Sequence, residues 1–329
     1  MTTDKLFKTY RQQMRHLRDD KKILCNGSAD KELLCRYGYF NLINGYKMPF
    51  VANTINGEHF YIANTSISHF LYLKEFDDSL RQLLFKNIVL AEEEVRTFAG
   101  YKFDQINEKG MIPWYNVEAY DSSQPTQNIV GLISKAYSEV GKSKLDYVQF
   151  YMTHHKFIPT WILVKVINFS TFIDFVEYGK PAIRDSLCEL YGIKTSTGAN
   201  DHSLLISSLH WLRKTRNSCA HNERIYCSSR RNGRCNNIYL DLLPFSYHHE
   251  RTQKILDLLL YLKFYLSSKD YKSLITSLKK LLIKLQSQIP EPAFNKVRAD
   301  LGIKNISHLD ILLSNPKDVA YNKFESYEI

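Results

Sequence analysis

The sequence predicts an all-α fold, and three observations carry this prediction. The 329 residues include 13 glycines and 9 prolines, about 7% of the chain, where average usage of the two is about 12%. A turn-rich β-sandwich and a low-complexity chain are therefore disfavoured. The hydrophobic share of 44% is that of a globular protein and excludes general disorder. Long segments also repeat apolar residues at the 3–4-residue spacing of an amphipathic helix.

The amino-terminal part, residues 1–65, is expected to form a helical and aromatic-rich segment. Residues 3–24 have helical spacing, and a second helix begins near Lys31 and ends at Gly38. Five aromatic residues crowd the stretch 36–50, which indicates a compact connection whose rings belong to the core. Residues 53–61 favour a short turn or strand pair.

The central part, residues 66–230, is expected to form a helical bundle. A long amphipathic helix is predicted over 67–100, followed by a loop-rich stretch. Further helices are predicted over residues 146–155, 161–178, 182–191 and 202–225. A third region, 240–329, continues as a carboxy-terminal helical extension with its main helical stretch at 248–285.

Charge and cysteine usage restrict the classes of partner, compartment and cofactor that this protein can have. The net charge of +10 favours a polyanionic partner. No signal peptide begins the sequence, and the two most apolar stretches are interrupted by charges at Lys165, Asp257 and Lys263, so no membrane association is expected. The six cysteines form no C-x-x-C pair, and the pairs His154-His155 and His248-His249 lack ligand spacing. We expect a cytoplasmic protein without a metal or cofactor.

The helix predicted over 202–225, with Asp201 as its N-cap, is the most informative segment. Three leucines and Cys219 follow the spacing of a buried seam, and Arg216 occupies the seam position between them. A buried unpaired guanidinium costs several kcal/mol. Arg216 must therefore have a carboxylate partner, an anionic ligand, or an edge position that reaches solvent. The seam leucines are Leu205, Leu209 and Leu212.

Beside the seam, Arg213, Asn217, His221 and Arg224 form one polar stripe on this predicted helix. A histidine transfers protons near neutral pH, and an arginine grips a phosphate and stabilises its transition state. Such groups suit metal-free RNA cleavage by the ribose 2′-hydroxyl, and the lack of clustered carboxylates argues against a two-metal nuclease. The alternative is a structural Arg216 and a solvated histidine at the helix end.

A basic segment follows. It holds no acidic residue from Arg224 to Leu240 and has tyrosines at 226 and 239. A solvated face is the ordinary interpretation of such a run, but its place beside the polar stripe favours RNA binding through phosphate contacts and base stacking. Lysines 279, 280 and 284 extend this surface in the same hypothesis. The arginines of the segment are Arg224, Arg230, Arg231 and Arg234.

Residues 216–221, RNSCAH, resemble the R-N-x-x-A-H form of the R-x(4–6)-H motif of HEPN ribonucleases. The surrounding LRKTRNSCAHNERIY is similar to Abi-like abortive-infection proteins of the AbiD and AbiF kind. Three further blocks agree in order, and the four together span about two thirds of the chain. They are YGYFNLINGYKMPF (37–50), FDDSLRQLLFKNIVLAEEEVR (76–96) and FIPTWILVKVINFSTF (157–172).

The resemblance implies a HEPN-type helical bundle acting as a ribonuclease toxin in phage defence, bound and controlled by a small noncoding RNA. It implies Arg216 and His221 as catalytic residues and Asn217 as a supporting contact. Because HEPN nucleases pair two motifs and this chain has one, a homodimer is implied. A non-catalytic protein that scaffolds a noncoding RNA is the alternative, and nucleotide chemistry is a third possibility.

The family match also places Glu92 on a neighbouring core helix, as the expected structural partner of Arg216. Arg96, four residues later, forms an i,i+4 pair with Glu92 or contacts RNA directly. Lys165 departs from the family pattern, which has an acidic or neutral polar residue there.

Overall fold

The amino-terminal segment is short helices around one strand pair. A computed structural model describes residues 7–155, 157–231 and 252–314. Helix α1 begins where the Thr9 hydroxyl accepts the backbone N–H of Gln12, and it is much shorter than the helix predicted over 3–24. Strands β1 and β2 pair antiparallel, as the sequence favoured. The elements are α1 (Tyr10–Arg15) with a π-helical turn (His16–Asp20), α2 (Gly27–Tyr37), a second π-helical turn (Phe40–Asn44), β1 (Val51–Ile55) and β2 (Glu58–Tyr61).

Helix α3 (Ile67–Ile106) is the central helix on which other helices pack. It has 40 residues, which corresponds to about 60 Å of helix. It continues past the end predicted at residue 100. One side of α3 is buried along its whole length, and three later helices pack on it, at Thr160–Val166, Pro181–Tyr191 and His202–Ala220. The buried apolar residues of α3 include Phe70, Leu73, Leu80, Leu84, Ile88, Val95 and Phe103.

Five α-helices are described between α3 and the motif helix. The single helix predicted over 161–178 is two helices, because Ile167 is extended and the Glu139 carboxylate accepts both the backbone and side-chain N–H groups of Asn168. These bonds satisfy donors at the start of α7, so the chain turns there. The helices are α4 (Thr126–Gly141), α5 (Asp146–His154), α6 (Thr160–Val166), α7 (Phe169–Tyr178) and α8 (Pro181–Tyr191).

Helix α9 (His202–Ala220) carries the motif. The Asp201 carboxylate accepts the Leu204 N–H at 2.9 Å, which confirms the predicted N-cap. The helix ends five residues before the predicted residue 225. Asn222 is left-handed at φ 57°, its N–H bonds to the Cys219 carbonyl, and the Glu223 N–H bonds to the Ser218 carbonyl. This is a Schellman ending with asparagine in the position usually held by glycine.

The carboxy-terminal helices pack on the same core. Within the predicted stretch 248–285, the described part breaks at Leu266, and Ser267 caps the next helix. Helix α11 lies along α3, and β3 pairs antiparallel with β4. The elements are β3 (Arg230–Arg231), β4 (Thr252–Gln253), α10 (Ile255–Tyr265), α11 (Ser268–Gln288), α12 (Glu291–Leu301) and α13 (His308–Ser314).

The described residues confirm the all-α class, since their strands form only two short antiparallel pairs. One hydrophobic cluster draws on residues from all three predicted regions, whose boundaries stay a prediction. Across the described ranges, every helix is too short or too polar to cross a membrane.

Candidate active site and basic surface

Arg216 sits at the edge of the α3–α9 interface. Its side chain is 38% exposed, and its Nε lies 3.6 Å from Oε2 of Glu92, which is itself buried. The seam leucines of α9 are fully buried and fix this register, while Cys219 is half-buried. The structure thus brings together Arg216 and Glu92, which the sequence analysis paired. Arg216 has the edge position that reaches solvent, and the distance to Glu92 is that of an ion pair without a hydrogen bond.

Glu92 is held by Arg96 rather than by Arg216. Its Oε1 accepts Nε and Nη2 of Arg96 at 2.9 and 2.7 Å. This leaves Oε2 turned toward Arg216, so the carboxylate bridges two guanidinium groups of unequal burial.

Arg96 is a structural residue, which corrects the RNA contact proposed for it from sequence. It is 8% exposed, and its Nη1 donates to the carbonyls of Val164 and Ile167 at the end of α6. Its guanidinium packs 4.8 Å from the Phe172 ring. Burial lowers the pKa of Arg96, Glu92 opposes the shift, and the nearby Arg216 adds to it. A group enclosed in this way cannot meet a phosphate.

Asn217 and His221 lie beyond this interface. Asn217 accepts a hydrogen bond from Nη1 of Arg216 at 3.3 Å and is partly exposed. His221 is the exposed C-cap of α9. Five residues of helix correspond to about 140° around the axis, so Arg216 is turned toward α3 while His221 faces away at the helix end.

The polar stripe predicted from sequence is interrupted at its end. Arg224 lies past the helix and donates to the Gly45 carbonyl at 2.5 Å. Tyr226, expected to flank an RNA surface, is buried and stacks on Tyr46 with ring centroids 6.1 Å apart. Both differences follow from the Schellman ending, which turns the chain back before residue 224 can join the helix.

A buried carboxylate holds the segment after the motif, and sequence reasoning missed it. Asp77 Oδ1 accepts the N–H groups of Ile225 and Tyr226 at 3.0 and 2.8 Å. Its Oδ2 accepts the Tyr46 hydroxyl at 2.9 Å and Arg81 Nη1 at 2.7 Å. Arg81 also donates to the Glu223 carbonyl at 3.0 Å.

A signal for this network was present in the sequence. Asp77 and Arg81 are the acid and the arginine of the F-D-x-x-L-R block at the start of 76–96. Their i,i+4 spacing predicts a pair on one face of a helix. Their backbone partners after the motif helix lie 142 to 149 residues away, and only the fold shows them.

A basic strip forms where the returning chain runs back along α9. Lys214 donates to the Ser229 carbonyl at 2.6 Å, and Arg230 donates to the Ser207 carbonyl. The pKa of His210 is lowered by burial and by the positive charges of Arg213 and Arg230, which places these groups near one another. We define the basic strip as His210, Arg213, Lys214, Arg230 and the exposed Arg231.

Two guanidinium Nε atoms on the motif helix make no hydrogen bond within the described residues. Within residues 7–155, 157–231 and 252–314, the Nε atoms of Arg213 and Arg216 are buried and have no hydrogen-bond partner. Buried donors are nearly always satisfied. For Arg216 this Nε faces the Glu92 carboxylate at 3.6 Å, so its charge is compensated within the chain although the distance is too long for a hydrogen bond.

Other candidate residues lie elsewhere. Arg234, Tyr239 and His248-His249 are outside the described residues. Lys279 pairs with Asp310 at 2.7 Å on the far helices, while Lys280 and Lys284 are exposed. Among the aromatics of 37–50, Phe50 and Tyr46 are buried, which confirms a core role for them, whereas Phe40 is exposed.

An open groove of about 590 Å³ adjoins the end of α9. Its lining includes Lys74, Arg81 and Phe85 of α3 and Cys219, Ala220 and Asn222 of the motif helix and its turn. Of the residues described, no group of three or more His, Cys, Asp or Glu is placed to hold a metal ion.

Comparison with known proteins identifies a family. The family model of Abi-like proteins matches residues 32–227, which contain the motif, Glu92, the Asp77 network and most of the bundle. Searches of curated proteins and of solved structures found no match. The family takes its name from abortive infection, a form of phage defence. Because the match covers more than half of the chain, this protein belongs to the family of Abi-like proteins.

Proposed function

We propose that this protein is a metal-independent endoribonuclease of an abortive-infection system, active as a homodimer. The observation that carries the proposal is a partly exposed Arg216, whose ion pair with Glu92 lacks a hydrogen bond, in the same motif as an exposed His221. These groups match what a phosphodiester needs in transesterification, namely donors for its oxygens and a group that moves a proton.

In the proposed reaction the ribose 2′-oxygen attacks the adjacent phosphorus and the bond from phosphorus to the 5′-oxygen breaks. One proton leaves the 2′-hydroxyl and one is delivered to the departing 5′-oxygen. The products are a 2′,3′-cyclic phosphate and a 5′-hydroxyl, and no water enters. His221 transfers a proton, Arg216 stabilises the charge on the pentavalent phosphate, and Asn217 orients Arg216 through their hydrogen bond.

One copy of the chain supplies an incomplete site. Arg216 is turned toward Glu92, and His221 lies on another side of the helix end. Two copies of the motif facing one phosphodiester bring an arginine and a histidine to it from different chains, which is the reason for proposing a homodimer.

The RNA partner is proposed to bind along the basic strip. The strip holds the exposed Arg231 and the partly exposed Arg213 and Arg230. Contacts of such side chains with phosphates supply affinity that falls steeply with salt. We propose that a small noncoding RNA binds there and restrains the enzyme, and that substrate RNA uses the same surface.

The test is cleavage of mixed RNA by the purified protein in EDTA, with analysis of the new ends. Wild type should give 2′,3′-cyclic phosphate ends, and both His221→Ala and Arg216→Ala should abolish them. His154→Ala is the matched control, because His154 is an exposed histidine at the end of α5. Cleavage that persists in His221→Ala contradicts the assignment.

The same experiment separates the alternative function. A non-catalytic protein that scaffolds a noncoding RNA would bind RNA without cutting it, and binding would be equal in wild type and His221→Ala. That result would overturn the nuclease proposal and leave the basic strip as an RNA-binding surface.

A further inference from the structure

The exposed face of α3 has an internal symmetry in its sequence. Two opposite charges lie at equal distances from the point between Val89 and Leu90, with Lys86 on one side and Glu93 on the other. Both charged residues are exposed, as are Val89 (36%) and Leu90 (41%) at the centre. At 100° per residue these side chains share one face of the helix, with Lys86 and Glu93 within about 20° of each other.

Such a face is complementary to itself when two copies lie antiparallel. A two-fold axis passing between Val89 and Leu90 places Lys86 of each copy opposite Glu93 of the other, and it brings the apolar centre into contact with its own copy. This is an isologous contact, in which both copies use the same surface and every contact occurs twice, once in each direction. Gln82 and Thr97, which are both polar, also lie at equal distances from this axis, so each would lie opposite the other across the interface.

We propose that this face of α3 is the interface through which two copies of the chain associate, and that this association assembles the nuclease site. The inference rests on the proposed function for its second part only. The occupant of the face is a second copy, because the charge pattern fits its own antiparallel image.

The motif lies on one flank of this face. Phe85 is about 90° from the centre of the face, and it lines the 590 Å³ groove with Cys219, Ala220 and Asn222. The two-fold axis of an antiparallel pair lies in the interface, perpendicular to both helices. Both Phe85 flanks, and therefore both α9 ends, fall on the same side of the dimer.

The separation of the two motif regions follows from the helix rise. Phe85 is four to five residues from the axis, which corresponds to about 7 Å along α3, so the two Phe85 positions are about 14 Å apart along the helix direction. Side chains reaching inward from the two α9 ends then approach one RNA strand from both copies.

The opposite flank supplies apolar area to the contact. A groove of about 450 Å³ has Leu90, Phe98, Tyr101 and Leu190 in its lining, together with Glu93 and Glu94. In the antiparallel pair the grooves of the two copies adjoin across the axis on this flank.

The test reverses the two charges in the full-length protein and measures mass by light scattering. Wild type should have a mass near twice 38.5 kDa. Lys86→Glu and Glu93→Lys should each raise the dimer dissociation constant at least about tenfold, because like charges then face each other. A mixture of the two single variants, and the double variant K86E/E93K, should recover the dimer. Lys142→Glu, an exposed charge change at the end of α4, is the control and should stay dimeric.

Recovery in the mixture also shows that each single variant is folded. A wild type that is monomeric throughout, or single variants that dimerise like wild type, would overturn the interface. The readout is independent of activity, so the two proposals fail separately. A charge-dependent dimer that does not cut RNA overturns the nuclease. A charge-dependent dimer whose RNA cleavage is indifferent to these charges keeps the interface and overturns its role in assembling the site.

Discussion

The Asp77 carboxylate on α3 accepts the backbone N–H of Tyr226 at 2.8 Å, across 149 residues of sequence. With its bond to the Ile225 N–H, this contact sets where the chain goes after the motif helix ends. Asp77 and Arg81 therefore hold the backbone that follows His221, while Glu92 positions the Arg216 side chain through their ion pair.

Removing the Asp77 carboxylate should destabilise the protein. Asp77→Ala leaves two buried N–H groups unpaired and removes a partner of the buried Arg81, and we expect a loss of about 3 kcal/mol in the free energy of unfolding. Tyr46→Phe removes one hydrogen bond of the same network and should cost about 1 kcal/mol. Urea denaturation followed by circular dichroism measures both, and equal stability of Asp77→Ala and wild type would show the network to be unimportant.

Arg216 should matter for catalysis more than for stability. Because it is at an edge and its ion pair with Glu92 lacks a hydrogen bond, Arg216→Ala should change stability little, while RNA cleavage falls by about 10³-fold or more. Arg216→Lys should recover only a small part, since lysine keeps the charge but loses the two-pronged grip on phosphate. Single-turnover cleavage rates, beside thermal melts of the same samples, separate the two effects.

Arg96 and Arg231 should behave oppositely. Arg96→Ala leaves Glu92 without its principal partner and should destabilise the fold by about 3 kcal/mol, with the salt dependence of RNA binding unchanged. Arg231→Ala should leave stability unchanged and reduce the slope of log affinity against log salt by about 1. Filter binding at several salt concentrations provides the slope. The converse pattern would place RNA at the buried arginine and contradict the basic strip.

The pKa of His210 should report on anion binding. Burial and the charges of Arg213 and Arg230 lower it, so bound RNA phosphate, by offsetting those charges, should raise it. NMR titration of the imidazole signals, assigned with His210→Gln, measures the change. His69 is the control, since its pKa is lowered by burial alone. An unchanged His210 in saturating RNA would place the RNA elsewhere.

The same shift has a consequence for stability. Because the folded-state pKa of His210 is below the unfolded value of about 6.5, the unfolded chain binds the proton more readily between the two values. The stability that the folded state gains by holding His210 uncharged is fully present above pH 6.5, and it is lost as the pH falls through the folded-state pKa. His210→Gln should remove that part of the pH dependence in denaturation curves measured from pH 7.5 to 5.

A mixed dimer tests whether the site is shared. Lys86→Glu combined with Arg216→Ala and His221→Ala in one chain, paired with Glu93→Lys and an intact motif in the other, forms a dimer with one motif. If the two motifs act together, its cleavage rate should be below about a tenth of that of the pair with two intact motifs, because residues that act as a unit are not additive. A rate of one half would show that each chain cuts independently.

The amino-acid sequence by itself determined the helical class, the N-cap at Asp201, the seam of α9 and the pairing of Glu92 with Arg216. These features depend on spacing along one helix, on local capping chemistry, or on blocks shared with a family. Such information is present in the order of residues without any knowledge of how distant segments meet.

The tertiary structure decided the rest. It ended α9 at Ala220 and drew residues 225 and 226 onto Asp77, it buried Arg96 and Tyr226, and it exposed the Lys86–Glu93 face. Each of these depends on which surface of a helix finds a partner far away in sequence. Helical periodicity shows that a residue has a face, but only packing shows whether that face is covered by the chain itself, by RNA or by a second copy.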